Sequence, residues 1–345
     1  MSEQNQELRP EGAVVYTSEW AMGLMTEHRV DVSPIFDSVD RVKTEIAKVV
    51  VGQENTVDML MAAMLTGGHV LLEGLPGIAK TLTAKLLAKT IDAGFSRIQF
   101  TPDLMPTDVT GTSVFNVKES SFYFRKGPIF SNIILIDEIN RSPAKTQAAL
   151  MEVMEEKQIT YDGETYIMSR PFFVIATQNP IEQEGTYSLP EAELDRFVFK
   201  LKLSYPSLEQ ELQIIEKFHA DFDARETTQV NKILSPEAVT SFSKLIEKIY
   251  VRTELLKYIA AVVDNTRNNG DLFIGASPRA SLAIIKTAKA LAAIRGREFV
   301  TPDDIKNVAV PVLNHRLILS HEREMEGFTV EDIIKGILET VEVPR

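Results

Sequence analysis

Residues 74–81, with the sequence GLPGIAKT, form the segment of this chain best suited to chemistry on phosphates. They follow a short apolar run, HVLLEG, and precede a helical pattern over residues 82–90. In a strand, loop and helix unit of this kind, successive backbone N–H groups converge on an anion and the helix adds the positive end of its dipole. The segment therefore predicts a loop that binds the phosphates of a nucleotide.

Two side chains in this loop have specific uses in such a site. Lys80 would place a positive charge at the outer phosphates, and Thr81 would offer a hydroxyl ligand to Mg²⁺. A plain strand-to-helix turn, with glycine and proline as turn residues only, is the alternative. The residues expected to contact the nucleotide are Gly74, Leu75, Pro76, Gly77, Ile78, Ala79, Lys80, Thr81 and Leu82.

One position departs from the G-x-x-x-x-G-K-[ST] pattern of nucleotide-binding loops. Ala79 stands where the pattern has a glycine before the lysine. We expect this position to have the helical backbone angles of a helix start, which alanine adopts without strain. The extra methyl group is then a small perturbation compared with loss of Lys80.

Two adjacent carboxylates end a later apolar run, IILIDE at 133–138. The carboxyl ends of parallel strands meet at the edge of the sheet where a phosphate loop also lies. There Asp137 could hold Mg²⁺ through water, and Glu138 could orient and polarise the water that attacks the γ-phosphate. A solvated strand end at a turn is the alternative, which the phosphate loop makes the weaker explanation.

A third apolar run ends in ATQNP at 176–180 and places an amide at the same edge. Asn179 could hold the attacking water or the γ-phosphate there. Because Asn-Pro is also common in turns, the sequence leaves both interpretations open.

These residues need a sheet to bring them together. Strands that alternate with helices indicate an α/β domain with a mostly parallel, five-stranded sheet flanked by helices. Residues 1 to about 30 show no sustained periodicity, and after Pro206 the periodicity becomes helical. These patterns predict an N-terminal arm at 1–34, an α/β domain at 35–205 and an all-α domain at 206–345. The predicted strands are HVLLEG at 69–74 and the apolar runs at 97–100, 132–137, 172–177 and 196–201.

Composition and charge exclude several classes of protein. The 345 residues include 37 Lys and Arg against 49 Asp and Glu, a net charge of −12 at pH 7, so nucleic acid is a poor default partner. The absence of cysteine excludes disulfides, thiolate metal sites and thiol nucleophiles. No apolar stretch reaches the roughly 20 residues of a membrane-spanning helix, and the polar first residues lack a secretory signal, so we expect a cytoplasmic protein.

In the order GLPGIAKT, LIDE and ATQNP, with a helical region after them, the chain resembles the AAA+ ATPases, and specifically the MoxR family. The resemblance extends over residues 35–343. It implies a P-loop AAA+ core with a helical lid, ATP and Mg²⁺ as cofactors, and ATP hydrolysis coupled to chaperone-like remodelling or maturation of partner proteins, including metal-cofactor insertion. The supporting segments are VGQ at 51–53, DEINR at 137–141, LDRF at 194–197 and SPRA at 277–280.

The resemblance also implies roles for residues outside the loop. Arg196 matches the arginine finger, which reaches the γ-phosphate of the adjacent subunit and so implies a ring, usually a hexamer; an ordinary ion pair with Glu193 or Asp195 is the alternative. Arg279 matches the sensor-2 arginine of the lid, with action in cis or in trans left open.

Gly52 and Gln53 match the segment that borders the adenine pocket. Two further segments resemble insertions into the core, one at 101–126 and a hairpin near 158–168 whose alternation around Asp162-Gly163 predicts a two-residue turn. The implied partners are further copies of the chain and a protein client or a von Willebrand A domain protein.

Two alternative functions remain at this point. A nucleic-acid motor or loader of the same fold predicts basic residues on the hairpin, but the hairpin carries Asp162 and Glu164. A nucleotide-gated scaffold without turnover is disfavoured by Glu138, the carboxylate that an inactive relative would be expected to lose.

Overall fold

The computed structural model describes residues 30–180, 186–220 and 230–344. The arm predicted at 1–34 lies outside the described residues apart from 30–34. Within the described ranges, no helix is both long enough and apolar enough to cross a membrane.

The strands occur in both the core and the lid. In chain order they are β1 (Val70–Glu73), β2 (Phe95–Gln99), β3 (Gly111–Asn116), β4 (Ser121–Lys126), β5 (Ile133–Asp137), β6 (Gln158–Tyr161), β7 (Glu164–Ile167), β8 (Phe173–Gln178), β9 (Phe199–Lys202), β10 (Leu272–Ile274) and β11 (Ile318–Leu319).

The helices flank the central sheet and then build the lid. They are α1 (Ser33–Ala47), α2 (Glu54–Leu65), α3 (Lys80–Thr90), α4 (Pro106–Thr110), α5 (Ala144–Glu156), α6 (Glu191–Leu194), α7 (Leu208–Ala220), α8 (Pro236–Glu247), α9 (Thr253–Arg267), α10 (Pro278–Ile294), α11 (Pro302–Leu313), α12 (His321–Met325) and α13 (Val330–Thr340).

Five parallel strands form the central sheet in the order β2, β5, β8, β1, β9, which confirms the predicted α/β class. Strand β5 is buried along its whole length, as expected of an apolar strand covered on both faces. The last strand starts later than predicted, at Phe199, because a short helix and turn occupy the residues just before it. The sheet therefore presents several strand ends at one carboxyl edge.

Two hydrophobic clusters hold the sheet in place. One packs α5 residues such as Leu150 and Met154 against one face of the sheet. The other begins on the opposite face and continues without a break through α2 into the lid, where Ile284 and Leu291 of α10 belong to it. Core and lid thus share one apolar interior, so the packing of α2 against α10 fixes the position of the lid.

The C-terminal domain is helical, as predicted, with one addition. Strands β10 and β11 form a small antiparallel ribbon within this helical region. Both strands are very short, and β11 has only two residues, which leaves too little alternation for a sequence pattern to show.

Two hairpins project beside the sheet. Strands β6 and β7 are joined through Asp162 and Gly163, both at positive φ. Strands β3 and β4 form a second hairpin, from the segment that resembled an insertion. The ring of Phe124 lies 4.9 Å from that of Tyr161 and 4.7 Å from that of Tyr166, so the two hairpins pack as one unit.

Candidate nucleotide site

The phosphate loop connects β1 to α3, the arrangement that the sequence predicts. Lys80 is the first residue of α3, and its ammonium donates hydrogen bonds to the backbone carbonyls of Gly74 and, at 3.1 Å, of Gln178. These carbonyls lie at the ends of β1 and β8. The positive charge of Lys80 is therefore held at the sheet edge, where it can exchange carbonyl partners for phosphate oxygens.

The backbone of Ala79 differs from our expectation. Its φ of 62° and ψ of 21° are left-handed, not helical, so the prediction of helical angles was wrong. The chain turns from the loop into α3 at this residue, and that turn uses the region in which a Cβ costs about 1–2 kcal/mol. Glycine would remove this cost, which explains why the general pattern has glycine there.

Gln53 anchors the loop from outside. Its side-chain amide donates to the carbonyl of Ile78 at 2.9 Å, and its carbonyl oxygen accepts from the Thr83 hydroxyl at 2.7 Å. The preceding Gly52 has a φ of 75°, and a Cβ there would meet the Gln210 side chain. We predicted that Gly52 and Gln53 border the adenine. Both residues line the same cavity as the loop.

Thr81 and Asp137 form the hydroxyl and carboxylate pair that the sequence predicts for Mg²⁺. The Thr81 hydroxyl donates to the Asp137 carboxylate at 2.8 Å, although the residues come from α3 and β5. The second carboxylate oxygen accepts from the guanidinium of Arg97 at 2.6 Å, and Asp137 is buried. Hydroxyl and carboxylate oxygens are hard donors of the kind that Mg²⁺ prefers, so this pair fits the metal.

Glu138 lies beside this pair in a left-handed backbone conformation, with a φ of 57°. Its backbone N–H donates to the hydroxyl of Thr177, and its carboxylate accepts from the Gln99 amide at 2.8 Å. Arg141 lies 3.4 Å from the same carboxylate. Asn179 is buried just after β8 and lines the same cavity as Asp137 and Glu138, so every strand-end residue singled out in the sequence lies at this edge.

A cavity of about 760 Å³ encloses these groups. Its size is typical of small-molecule sites. Its walls come from the loop, from the ends of β5 and β8, and from the connection between core and lid, through Ser204, Tyr205, Pro206, Gln210, Glu211 and Ile214.

Arg97 and Gln99 are functional candidates that we did not predict. They alternate along β2, so their side chains share one face of the strand, and both line the cavity. The register of β2 against β5 places Gln99 directly beside Asp137. The signal available in the sequence was two polar residues two positions apart in an otherwise apolar run.

The two predicted arginines lie outside this cavity and share one partner. Arg196 contacts the Glu155 carboxylate at 2.9 Å, and Arg279 contacts its other oxygen at 3.1 Å. Arg279 also lies 3.6 Å from Asp195. The ion-pair partner of Arg196 in the structure is thus Glu155, which the sequence did not suggest.

A lid arginine fixes the segment that carries Arg196. Arg316 is buried, contacts Asp195 at 2.6 Å and donates to the Phe197 carbonyl at 2.8 Å. The buried ring of His315 contacts the same carbonyl at 2.9 Å. Burial lowers the pKa of Arg316, and the charge of Asp195 opposes that shift. The lid therefore positions the arginine through buried contacts made by its neighbours.

Comparison with known proteins agrees with this geometry. Residues 69–199 match the family described as the ATPase family associated with various cellular activities (AAA), and residues 264–337 match the AAA lid domain. The chain is 42% identical to Chaperone MoxR1 of Mycobacterium tuberculosis over 317 residues, which are 89% of this chain and 83% of the relative.

Further relatives extend the same similarity. The chain is 44% identical to the uncharacterized protein YeaC of Bacillus subtilis, over 87% of this chain and 92% of the relative, and 28% identical to Protein MoxR of Methylorubrum extorquens, over 89% and 96%. A crystal structure of a candidate ATPase from Cytophaga hutchinsonii is 44% identical, with a TM-score of 0.83 over 91% of this chain and 97% of that one.

Proposed function

The chain belongs to the MoxR family of AAA+ ATPases, and on that premise we propose that it is a cytoplasmic, Mg²⁺-dependent ATPase acting as a ring, usually hexameric, to remodel or mature partner proteins. One observation carries the proposal. Lys80 and Thr81 at the start of α3, Asp137 and Glu138 at the end of β5, and Asn179 after β8 come from three separate segments and meet at one sheet edge inside one cavity. This is the set that binding and hydrolysis of a nucleoside triphosphate require.

Each residue has a defined task in this proposal. Lys80 transfers its hydrogen bonds from backbone carbonyls to the outer phosphates. Thr81 and Asp137 would hold Mg²⁺, which when bound neutralises phosphate charge. Glu138 orients the attacking water and accepts its proton, and Asn179 holds that water or the γ-phosphate. Gln99 would have to release Glu138 before the carboxylate can act.

The position of the arginines supports a ring. Arg196 and Arg279 do not line the cavity of their own chain, so we propose that both act on the nucleotide of a neighbouring subunit. Their contacts with Glu155 are partly exposed, and ion pairs of that kind contribute only about 0–1 kcal/mol. Both side chains can therefore leave Glu155 at little cost when a neighbour presents its phosphates.

The paired hairpins are the surface we propose for the partner, a protein client or a von Willebrand A domain protein, including a client that receives a metal cofactor. Four exposed apolar side chains lie on the β3–β4 hairpin: Phe115, Val117, Phe122 and Tyr123. The neighbouring hairpin presents Asp162 and Glu164, which disfavours nucleic acid. The name Chaperone MoxR1, given to a relative, is consistent with a protein substrate.

Calorimetry with Lys80→Ala tests the core of the proposal. We expect titration of Mg-ATP into the wild-type protein to give heat of binding, and the variant to lose it because the outer phosphates lose their charged partner. Lys85→Ala, on the same helix but outside the cavity, is the matched control and should bind like the wild type. Equal binding by Lys80→Ala and the control would contradict the nucleotide site.

A further inference from the structure

A second cavity, of about 710 Å³, lies between the core and the lid and shares no lining residue with the nucleotide cavity. Its core wall comes from the end of α2 and the base of the β6–β7 hairpin, and its lid wall comes from α8 and α10. We call it the core–lid cavity. Nothing in the ATPase proposal uses it.

The charge of this cavity is one-sided. Five cationic side chains line it, against the two carboxylates of Glu156 and Glu247. Among the described residues, no carboxylate oxygen lies within 4.0 Å of any of the five cationic groups. This excess is unusual in a chain with a net charge of −12. The five are Lys157, Arg170, Lys244, Lys286 and Lys289.

Two of these lysines are half-buried and bonded only to backbone. The Lys157 ammonium donates to the Gly67 carbonyl at 3.2 Å, and the Lys289 ammonium donates to the Glu247 carbonyl at 2.8 Å. Burial lowers the pKa of both, and for Lys157 the positive charges of Arg170 and Lys286 add to that effect. The charge of Glu155 opposes the shift at Lys157, and the charge of Glu247 opposes it at Lys289. The lining thus carries more positive than negative side chains, five against two.

The remaining lining residues differ in exposure. Arg170, Lys244 and Lys286 are exposed, so an anion from solvent can reach them. The buried part of the lining is mostly apolar, from Met64, Leu65, Met168, Pro171, Phe172, Val239 and Ile246. A volume of this size with an apolar interior and a few charged groups is typical of a small-molecule site.

We propose that the core–lid cavity binds a compact anion with two or more phosphate groups, free or as part of a small organic phosphate. Several ammonium groups and one guanidinium can share the charge of a polyphosphate, and the guanidinium can bind one phosphate bidentately. Because the walls belong to the core and to the lid, the bound anion would connect them and stabilise their arrangement.

The test uses the full chain with the phosphate loop disabled by Lys80→Ala. We expect calorimetry without Mg²⁺ to detect binding of pyrophosphate and of ADP by this protein. Adding Lys244→Gln and Lys286→Gln should weaken both at least about tenfold, since two charges near the anion are lost. Adding Lys248→Gln and Lys335→Gln instead, both exposed lid lysines outside the cavity, should change affinity less than about twofold.

The outcomes separate the possibilities. Tighter binding of ADP than of pyrophosphate identifies an organic phosphate that uses the apolar interior, and equal binding identifies the free polyphosphate. No heat with either anion, or equal weakening by the two lysine pairs, overturns the proposal. A change in sedimentation caused only by the Lys244 and Lys286 substitutions, with anion affinity unchanged, would assign the surface to contact between copies. None of these results depends on ATP turnover, so they stand apart from the test of the nucleotide site.

Discussion

The nucleotide cavity and the core–lid cavity have similar volumes, about 760 and 710 Å³, but differ in how their charges are paired. In the nucleotide cavity, Arg97 pairs with Asp137, and Glu138 is held by Gln99 and Arg141. In the core–lid cavity the described cations have no carboxylate partner within ion-pair distance. The balanced charges fit the proposal that the first cavity admits both a polyanion and a metal, and the excess of cations fits the proposal that the second binds an anion alone.

The cavities also differ in what builds them. The nucleotide cavity is formed largely by strand ends of one sheet, whose positions follow from backbone pairing. The core–lid cavity exists only because α10 packs on α2, through the apolar interior that includes Leu291. The first therefore depends on the sheet and the second on the position of the lid.

The prediction with the largest expected effect tests whether the nucleotide cavity needs an arginine from a neighbouring subunit. Arg196→Ala should lower ATP turnover by about 10³ to 10⁵, because an arginine supplied to the transferring phosphoryl group contributes a factor of that size. Steady-state turnover should be measured against protein concentration. Arg41→Ala, an exposed arginine of α1, is the control. A variant with the wild-type rate and the same concentration dependence would show that the cavity needs no neighbour.

A prediction with a smaller expected effect concerns Glu138, the carboxylate that Gln99 and Arg141 contact in the same cavity. Glu138→Gln should reduce turnover by about 10² to 10⁴ because the attacking water loses its base, while ATP binding is retained. Single-turnover hydrolysis and calorimetry on one preparation separate the two effects. Glu152→Gln, an exposed acid of α5, should keep the wild-type rate. Unchanged turnover in Glu138→Gln would remove the catalytic role of this carboxylate.

The smallest effect concerns His69, whose ring feels the charge of Lys157 from the core–lid cavity. The His69 ring is buried, contacts the Met154 carbonyl and accepts from the Val174 N–H. Burial lowers the pKa of His69 to about 4, and the charge of Lys157 adds to the shift. The unfolded chain protonates near 6.5, so His69 contributes its full stabilisation above that pH and loses it as the pH falls toward 4.

Between pH 7 and pH 5 this loss amounts to about 2 kcal/mol of unfolding free energy. Urea unfolding of both proteins should be measured at pH 7 and at pH 5. The unfolding free energy of the wild type should fall by about 2 kcal/mol more than that of His69→Gln, which cannot titrate at this position. Nuclear magnetic resonance of the ring in the wild type gives the pKa directly and does not require the variant to fold. A ring pKa near 6.5 would contradict the prediction.

Much of the nucleotide site follows from local sequence. GLPGIAKT between a strand and a helix, and polar residues directly after apolar strands, predict Lys80, Thr81, Asp137, Glu138 and Asn179 at one edge. The prediction works because parallel strands end at the same side of a sheet whatever their neighbours are. The helical lid was predicted for a similar reason, since a period of 3.6 residues appears within each helix.

The tertiary structure decided what depends on contacts between distant segments. Arg97 and Gln99 join the site only through the register of β2 against β5, and Glu155 meets Arg196 and Arg279 only where α5, the core and the lid converge. The core–lid cavity is a further case, because its cations come from a hairpin base and two lid helices. Sequence by itself determined which residues end each strand and which helices are amphipathic, since both are local properties. Packing alone determined which charges face each other, because the distance between two charged side chains on different elements is set by the positions of those elements.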